Sequence, residues 1–242
     1  MVMASKRGEA HTPSTGRYLE TERVREALEA ATDYGATYAE VRVVSLTEST
    51  VAMRDGQLER AIPGQELGMT LRVLANGSWG VHSTTDLASL NDQIESTTRL
   101  AKAVASRRAK GERPIGLAEV PIFEDEHHWK STLDVRHTEL DAKIEHMNDL
   151  YRGATGHDDI VSVRTGWSDE HIHTELMTTE GMDRVWSFQR SLIHGMVTAR
   201  RNGEVVSYRT RHGGQGGLAV IQACDLRDLR EPAHNAASRR LE

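Results

Sequence analysis

Gly35-Ala36-Thr37-Tyr38-Ala39-Glu40-Val41-Arg42-Val43 opens a stretch that runs on through Met53-Arg54-Asp55-Gly56-Gln57-Leu58-Glu59 to Gly68-Met69-Thr70-Leu71-Arg72-Val73-Leu74-Ala75-Asn76-Gly77-Ser78-Trp79-Gly80, and its period decides the fold. Residues 38–45 alternate apolar and polar side chains, as a half-buried strand does. Arg54-Asp55-Gly56-Gln57 is an Asp-Gly turn that links 50–53 to 58–61, and Asn76-Gly77 links 68–74 to 78–82. Both dipeptides tolerate the positive φ of a tight turn, so two hairpins of short strands are predicted.

Helical spacing flanks these hairpins. Leu19, Val24, Ala27, Leu28 and Ala31 share one helix face, with Thr21 as a candidate cap and Gly35 as the stop. Leu87, Leu90, Ile94, Thr97, Leu100 and Val104 repeat the spacing after Thr85 or Asp86. Residues 111–132, with Pro114, Gly116 and Pro121, read as a connector with one short strand. The pattern then restarts with Leu140, Ile144, Met147, Leu150 and Tyr151 on a helix, followed by strand-like pieces at 160–165, 172–177, 182–188, 191–199 and 205–209. Thr179-Glu180-Gly181 and Arg201-Asn202-Gly203 sit where the two earlier turns sat.

The fold class expected is therefore α+β: two helix, antiparallel-hairpins, helix units related by internal duplication, with the helices on one face of the sheets. The units cover about 18–110 and 133–242, after a flexible leader at 1–17. A closing helix is expected over 225–241, with Pro232 in its first turn or breaking it.

Composition narrows the function. With 38% hydrophobic and 27% charged residues, and no apolar run near the roughly 20 residues a membrane helix requires, the chain reads as soluble, with a cytoplasmic location as the default. A net charge of −6 with interspersed signs gives no broad field for a polyanion, so nucleic acid is not an expected partner. The single Cys224 excludes an internal disulfide, and its place after Leu218-Ala219-Val220-Ile221, read as a strand, makes it a packing thiol.

Catalytic patterns are sought first among the histidines. None of the 12 is followed directly by glutamate, so neither H-E-x-x-H nor H-E-x-x-x-H is present. On a strand His171, His173 and Glu175 would share a face and could bind one metal, or they could form the exposed polar face of an edge strand. His127-His128, beside Glu124, Asp125 and Glu126, reads as a solvated acidic turn. His212-Gly213-Gly214-Gln215-Gly216-Gly217 lacks the Lys-Ser/Thr of a phosphate loop; it reads as a flexible turn or a close backbone approach, with anion binding as the alternative. No G-x-S-x-G elbow occurs. What remains chemically useful is the strand edges, whose unpaired N–H and C=O groups can take an extended peptide.

The order of these motifs resembles the TldD/PmbA family of zinc metalloproteases (the modulator of DNA gyrase family). The resemblance rests on 35–42, on Arg54-Asp55-Gly56-Gln57-Leu58-Glu59, on 68–74, on Gly77-Ser78-Trp79-Gly80, on Thr179-Glu180-Gly181 and on the glycine run at 211–217. It implies an N-terminal α+β domain that encloses flexible peptides for proteolysis. It also implies zinc held by an H-E-x-x-x-H helix and a later cysteine, beyond the point where this chain ends or in a partner. No catalytic, cofactor-binding or metal-ligating residue of this chain is then expected, and Cys224 lies too early to be the family's ligand. The partners implied are a peptide substrate and a second TldD/PmbA-type subunit, in a homodimer or heterodimer. The rival reading is a free-standing binding or regulatory module that pairs with a complete protease subunit.

Overall fold

A computed structural model describes residues 16–131, 133–222, 224 and 235. In chain order these form α1 (Thr21–Asp33), β1 (Tyr38–Arg54), β2 (Gln57–Ala75), β3 (Ser78–Thr84), α2 (Leu90–Ser106), β4 (Glu124–His128), a 3-10 turn (Val135–His137), α3 (Leu140–Ala154), β5 (Ile160–Thr178), β6 (Asp183–Arg201), β7 (Glu204–Gln215) and α4 (Leu218–Gln222). The fold is α+β, and the strands are hydrogen-bonded in the order β3-β2-β1-β5-β6-β4, with β7 also on β6. Of the leader expected at 1–17, residues 1–15 lie outside the described residues, while Arg17 donates to Asp183 Oδ1 (2.6 Å); the closing helix expected at 225–241 lies outside them except for Asn235. Among those described, no helix is long and apolar enough to cross a membrane.

Several strands predicted as separate pieces are continuous. Residues 38–45 and 50–53 belong to one strand, as do 58–61 and 68–74, and β5 and β6 each merge two pieces. The polar residues between the apolar pieces keep the alternation going because they find partners inside: Ser45 Oγ accepts from the Tyr18 hydroxyl (2.8 Å) and Ser49 Oγ donates to Asp169 Oδ1 (3.0 Å). Residues 218–221, read as a strand, form the helix α4. Leu218 and Ile221, three apart, are both buried, which suits a helical turn and not an alternating strand. The capping also differs: α1 begins after Glu20 with no side-chain cap bond.

The chain divides into two compact units that do not follow the two sequence passes. The first takes in Met1–Ser45, Glu66–His128 and His173–Ser187. Its core joins Val24, Leu28 and Ala31 of α1 to Val41, Val43, Met69, Leu71 and Val73 of the sheet and to Leu90 and Ile94 of α2. Gly35, at φ 89°, ends α1 as expected; its N–H bonds the Thr32 carbonyl and the following Ala36 N–H bonds that of Ala31. Asn76 (φ 50°) and Gly77 (φ 70°) turn β2 into β3 with Ala75 opposite Ser78. Arg108 clamps this turn through the Asn76 carbonyl (2.6 Å) and Ser78 Oγ (2.7 Å). Helix α2 lies so close to β3 that a Cβ on Gly80 would stand 2.3 Å from the Thr97 carbonyl and 2.9 Å from the Ala101 nitrogen.

The second unit takes in Leu46–Gln65, Trp129–Ile172 and the chain from Phe188 onward. Asp55-Gly56 and Asn202-Gly203, all at positive φ, are its hairpin turns. Val51, Met53, Val163, Ile193 and Val197 of the strands pack on Met147, Leu150 and Ala154 of α3 and on Leu218 and Ile221 of α4, with Cys224 partly buried beside them. A charged pair sits in this core. Lys143 Nζ lies 2.7 Å from Asp169 Oδ2, the side chains being 4% and 3% exposed. Lys143 also donates to Ser49 Oγ (2.7 Å) and the Val135 carbonyl (3.3 Å), while Trp167 Nε1 donates to Asp169 Oδ2 (2.6 Å). His146, one turn further along α3, meets the Trp167 ring edge-on at 5.6 Å and has no partner for Nε2. Burial holds its pKa below the ordinary 6.5, against an opposing pull from Asp149.

Three outcomes follow for stability. Gly80→Ala forces α2 off β3 and lowers unfolding free energy by about 2–3 kcal/mol in denaturant titration. Lys143→Met strands the Asp169 carboxylate and costs about 3–5 kcal/mol; the double change Lys143→Met/Asp169→Asn costs less than the single one, a coupling visible in a double-mutant cycle. An imidazole whose pKa falls on folding contributes stability that is complete above its unfolded pKa and lost as pH drops below it. The melting temperature therefore falls as pH is lowered through about 6.5, and His146→Phe makes that fall shallower.

Candidate functional site

The histidine cluster singled out from sequence lies inside the sheet. His171, His173 and Glu175 are buried, at 8%, 8% and 5% exposure, on β5, which has strands on both sides; the exposed edge strand expected for them is not what the chain forms. His173 Nε2 is engaged by Glu175 Oε1 at 3.2 Å, and that oxygen also accepts from the Tyr18 backbone N–H at 2.6 Å. The Tyr18 ring meets the imidazole edge-on at 5.7 Å, and the His128 ring stacks on it at 6.3 Å. His127 and His128 are not in a turn but in β4, which runs parallel to the start of β6 with His128 opposite Ser187. His128 Nδ1 is 2.7 Å from Ser187 Oγ and its Nε2 is 2.6 Å from Glu126. Among the described residues no group of three or more His, Cys, Asp and Glu is placed to hold a metal ion. His173 Nε2 and Glu175 Oε1, which could otherwise face a metal ion, bond each other.

The glycine run is a place of close backbone approach. Gly213 and Gly214 belong to β7, opposite Leu192 and Ser191 of β6, and a Cβ on Gly213 would stand 2.5 Å from the Ser191 carbonyl. Gly217, at φ 71°, would press a Cβ against the Leu133 carbonyl at 2.4 Å. The bare Cα of these glycines lets β7 and the start of α4 lie against their neighbours.

Chemistry in the second unit gathers on the sheet face opposite α3 and α4. Odd-numbered residues of β5 and β6 point to the helices, so the even-numbered ones face the other way. There Glu48, Thr50, Ser168, Glu170, Arg190 and Leu192 line a hollow of about 420 Å³ that ends against Gly214 and Gln215. Glu170 and Arg190 form an ion pair, whereas Glu48, folded over Gly64, makes none among the described residues. Further along the same face His194 lies over Gly166, whose missing side chain leaves room for the ring: a Cβ there would be 2.1 Å from it. Cover by the protein and the nearby Arg211 charge lower the His194 pKa below 6.5. His194 is paired in register with Arg211, and Met196 with Arg209.

Strand β7 borders this face. It is paired with β6 from Glu204 to Gln215, and β6 is its one hydrogen-bonded strand among the described residues. Its outer edge therefore presents backbone N–H and C=O groups beside the hollow. Sequence reading pointed to strand edges in general but missed Glu48, Arg164, Arg190, His194, Arg209 and Arg211. The available signal was the alternation of Arg209 and Arg211 within a strand, which gains meaning only once register sets it beside β6.

Two family profiles match the chain: "PmbA/TldA metallopeptidase domain 1" over residues 39–106 and "PmbA/TldA metallopeptidase central domain" over 134–242. A metalloprotease of Methanothermobacter thermautotrophicus is 24% identical over 193 residues, which is 79% of this chain and 40% of that protein. Another metalloprotease, from Methanocaldococcus jannaschii, is 24% identical over 199 residues, 82% of this chain and 42% of that one. The chain thus spans less than half the length of either relative. Among solved structures, a protein described as a modulator of DNA gyrase from Bacteroides thetaiotaomicron superposes with a TM-score of 0.68 at 16% identity, covering 95% of this chain and 51% of that one. TldE from Thermococcus kodakarensis gives 0.64 at 11% identity, covering 89% and 47%. These likenesses show a shared fold, and the two profiles, which together match well over half of the residues, show that the chain belongs to the PmbA/TldD metallopeptidase family.

Proposed function

We propose that this chain is the peptide-receiving part of a PmbA/TldD-type metallopeptidase, holding extended, flexible peptides for a zinc centre supplied by a further domain or by a partner subunit. The observation that carries the reading is the β7 edge, twelve residues long and bordering an open hollow, in a chain matched by the family's first and central domains. Backbone pairing at such an edge selects unfolded chains over folded ones, because only an extended segment can present its N–H and C=O groups in a row. Side-chain demands are then few, which suits a proteolytic system that accepts varied flexible substrates.

By itself the chain does not cut peptides in this reading. A second PmbA/TldD-type subunit, identical or different, closes the assembly around the substrate. The repeated order of helix, three strands and helix, seen from α1 to α2 and from α3 to α4, supports a duplicated origin, with β4 in the connector.

Fluorescence anisotropy of labelled, unstructured peptides of about twelve residues tests the edge. Binding is expected, and N-methylation of alternate amides should weaken it about tenfold in one phase and little in the other, because only one set of N–H groups faces β7. Equal tolerance of both phases would remove β7 pairing. Incubation of the purified chain with zinc should leave the peptides intact. Chelator-sensitive cleavage that disappears in a His171→Ala/His173→Ala variant would overturn the non-catalytic role.

A further inference from the structure

The face beside β7 has a sign. Arg209 and Arg211 point the same way along the strand, two residues apart, next to Met196 and His194 of β6. Arg164 stands on the same face of β5, two residues before the Gly166 that accommodates His194. All three guanidinium groups are exposed, and none forms an ion pair among the described residues. Among the described residues Arg209 Nε meets the Met196 sulfur, at 3.3 Å. Burial first, and then the Arg211 charge beside it, lower the His194 pKa. In a chain of net charge −6 this concentration of unpaired cations runs against the overall balance.

A strand added to the outer edge of β7 sets every second side chain opposite a β7 residue of the same face, roughly 5 Å away. On one face those residues are Val205, Ser207, Arg209, Arg211 and Gly213; on the other are Val206, Tyr208, Thr210 and the half-buried His212. We propose that the peptide held at the β7 edge is acidic on one face, with Asp or Glu at two positions spaced i and i+2 set against Arg209 and Arg211. A neutral residue fits between them, against Thr210, and an aromatic one fits beside the pair, against Tyr208. Toward Gln215 the face changes sign at Glu48, so the acidic pair belongs at the middle of β7 and not at its glycine end. This inference rests on the edge-pairing reading above and adds the substrate class to it.

The test compares labelled peptides that differ only in one pair of residues: Glu at i and i+2, Glu at adjacent positions, Gln at i and i+2, and Lys at i and i+2. The alternating Glu peptide should bind about fivefold more tightly than the Gln peptide, with Lys weakest and adjacent Glu close to Gln. Arg209→Gln/Arg211→Gln should erase the advantage, and Arg209→Lys/Arg211→Lys should keep most of it; both positions are exposed, and circular dichroism checks that the variants fold. Equal binding of alternating Glu and Gln peptides that still depends on N-methylation phase would sink the acidic preference and leave the edge reading intact. Equal binding of alternating and adjacent Glu would reduce the effect to net charge and overturn the register. A single-stranded oligonucleotide that competes as well as the Glu peptide would make the site a general polyanion surface and overturn the peptide assignment. Binding of none of the peptides removes the edge reading and this inference with it.

Discussion

The period-two register of the long strands is the constraint on which everything else depends. In β1, β5 and β6 the odd-numbered residues are buried almost without exception: Ala39, Val41, Val43, Val51 and Met53; Val163, Trp167 and Met177; Val185, Ile193, Val197 and Ala199. A slip of one residue would turn all of them to the outer face and bring Arg42, Arg54, Arg164 and Arg190 inward. Polar residues at odd positions would undermine this register if they had no partners. Ser45, Ser49, Asp169, His173, Glu175 and Gln189 are instead bonded to Tyr18, Lys143, Trp167, one another or the backbone. The hydroxyls of Thr165 and Ser191 are the exceptions, each without a partner among the described residues.

Hairpin turns were legible because their chemistry is local. Asp55-Gly56, Asn76-Gly77 and Asn202-Gly203 each announce a positive φ, and each has one. The faces of α1 and α3 were legible too, since their spacing selects residues that these helices bury; on α2 the reading holds for Leu90, Ile94 and Thr97 but fails at its C-terminal end, where Leu100 and Val104 are exposed and Thr98 and Ala101 are buried instead. Strand length was harder to read. Nothing in residues 46–49 or 166–171 says whether a polar run is a loop or a buried strand, because the answer lies in Lys143, nearly a hundred residues from Ser49 in sequence. The error over His171, His173 and Glu175 has the same origin: three polar residues at alternate positions look exposed until a Tyr18 backbone amide and a neighbouring ring are found to enclose two of them. Of the charged face beside β7 only the alternation of Arg209 and Arg211 was visible in sequence, as the face joins β5, β6 and β7 through pairing that no sequence window contains.

Family membership and geometry answer different questions here. The first says to which family the chain belongs, whereas the second says what its own residues offer. His173 and Glu175, the imidazole and carboxylate most suggestive of a metal, bond each other in the interior. Open to solvent on β7 are Arg209 and Arg211, beside a strand edge that has no hydrogen-bonded neighbour among the described residues.

The arginines on β7 have a consequence for the chain on its own. An open strand edge is a standing invitation for another copy to pair with it, and such pairing can continue into aggregates. If two copies met edge to edge through β7, Arg209 and Arg211 of one would face or neighbour the same residues of the other, in either direction of pairing near the strand centre. Like charges directly across a sheet repel. The same two side chains that give the β7 edge its positive sign thus oppose its pairing with a second copy near the strand centre.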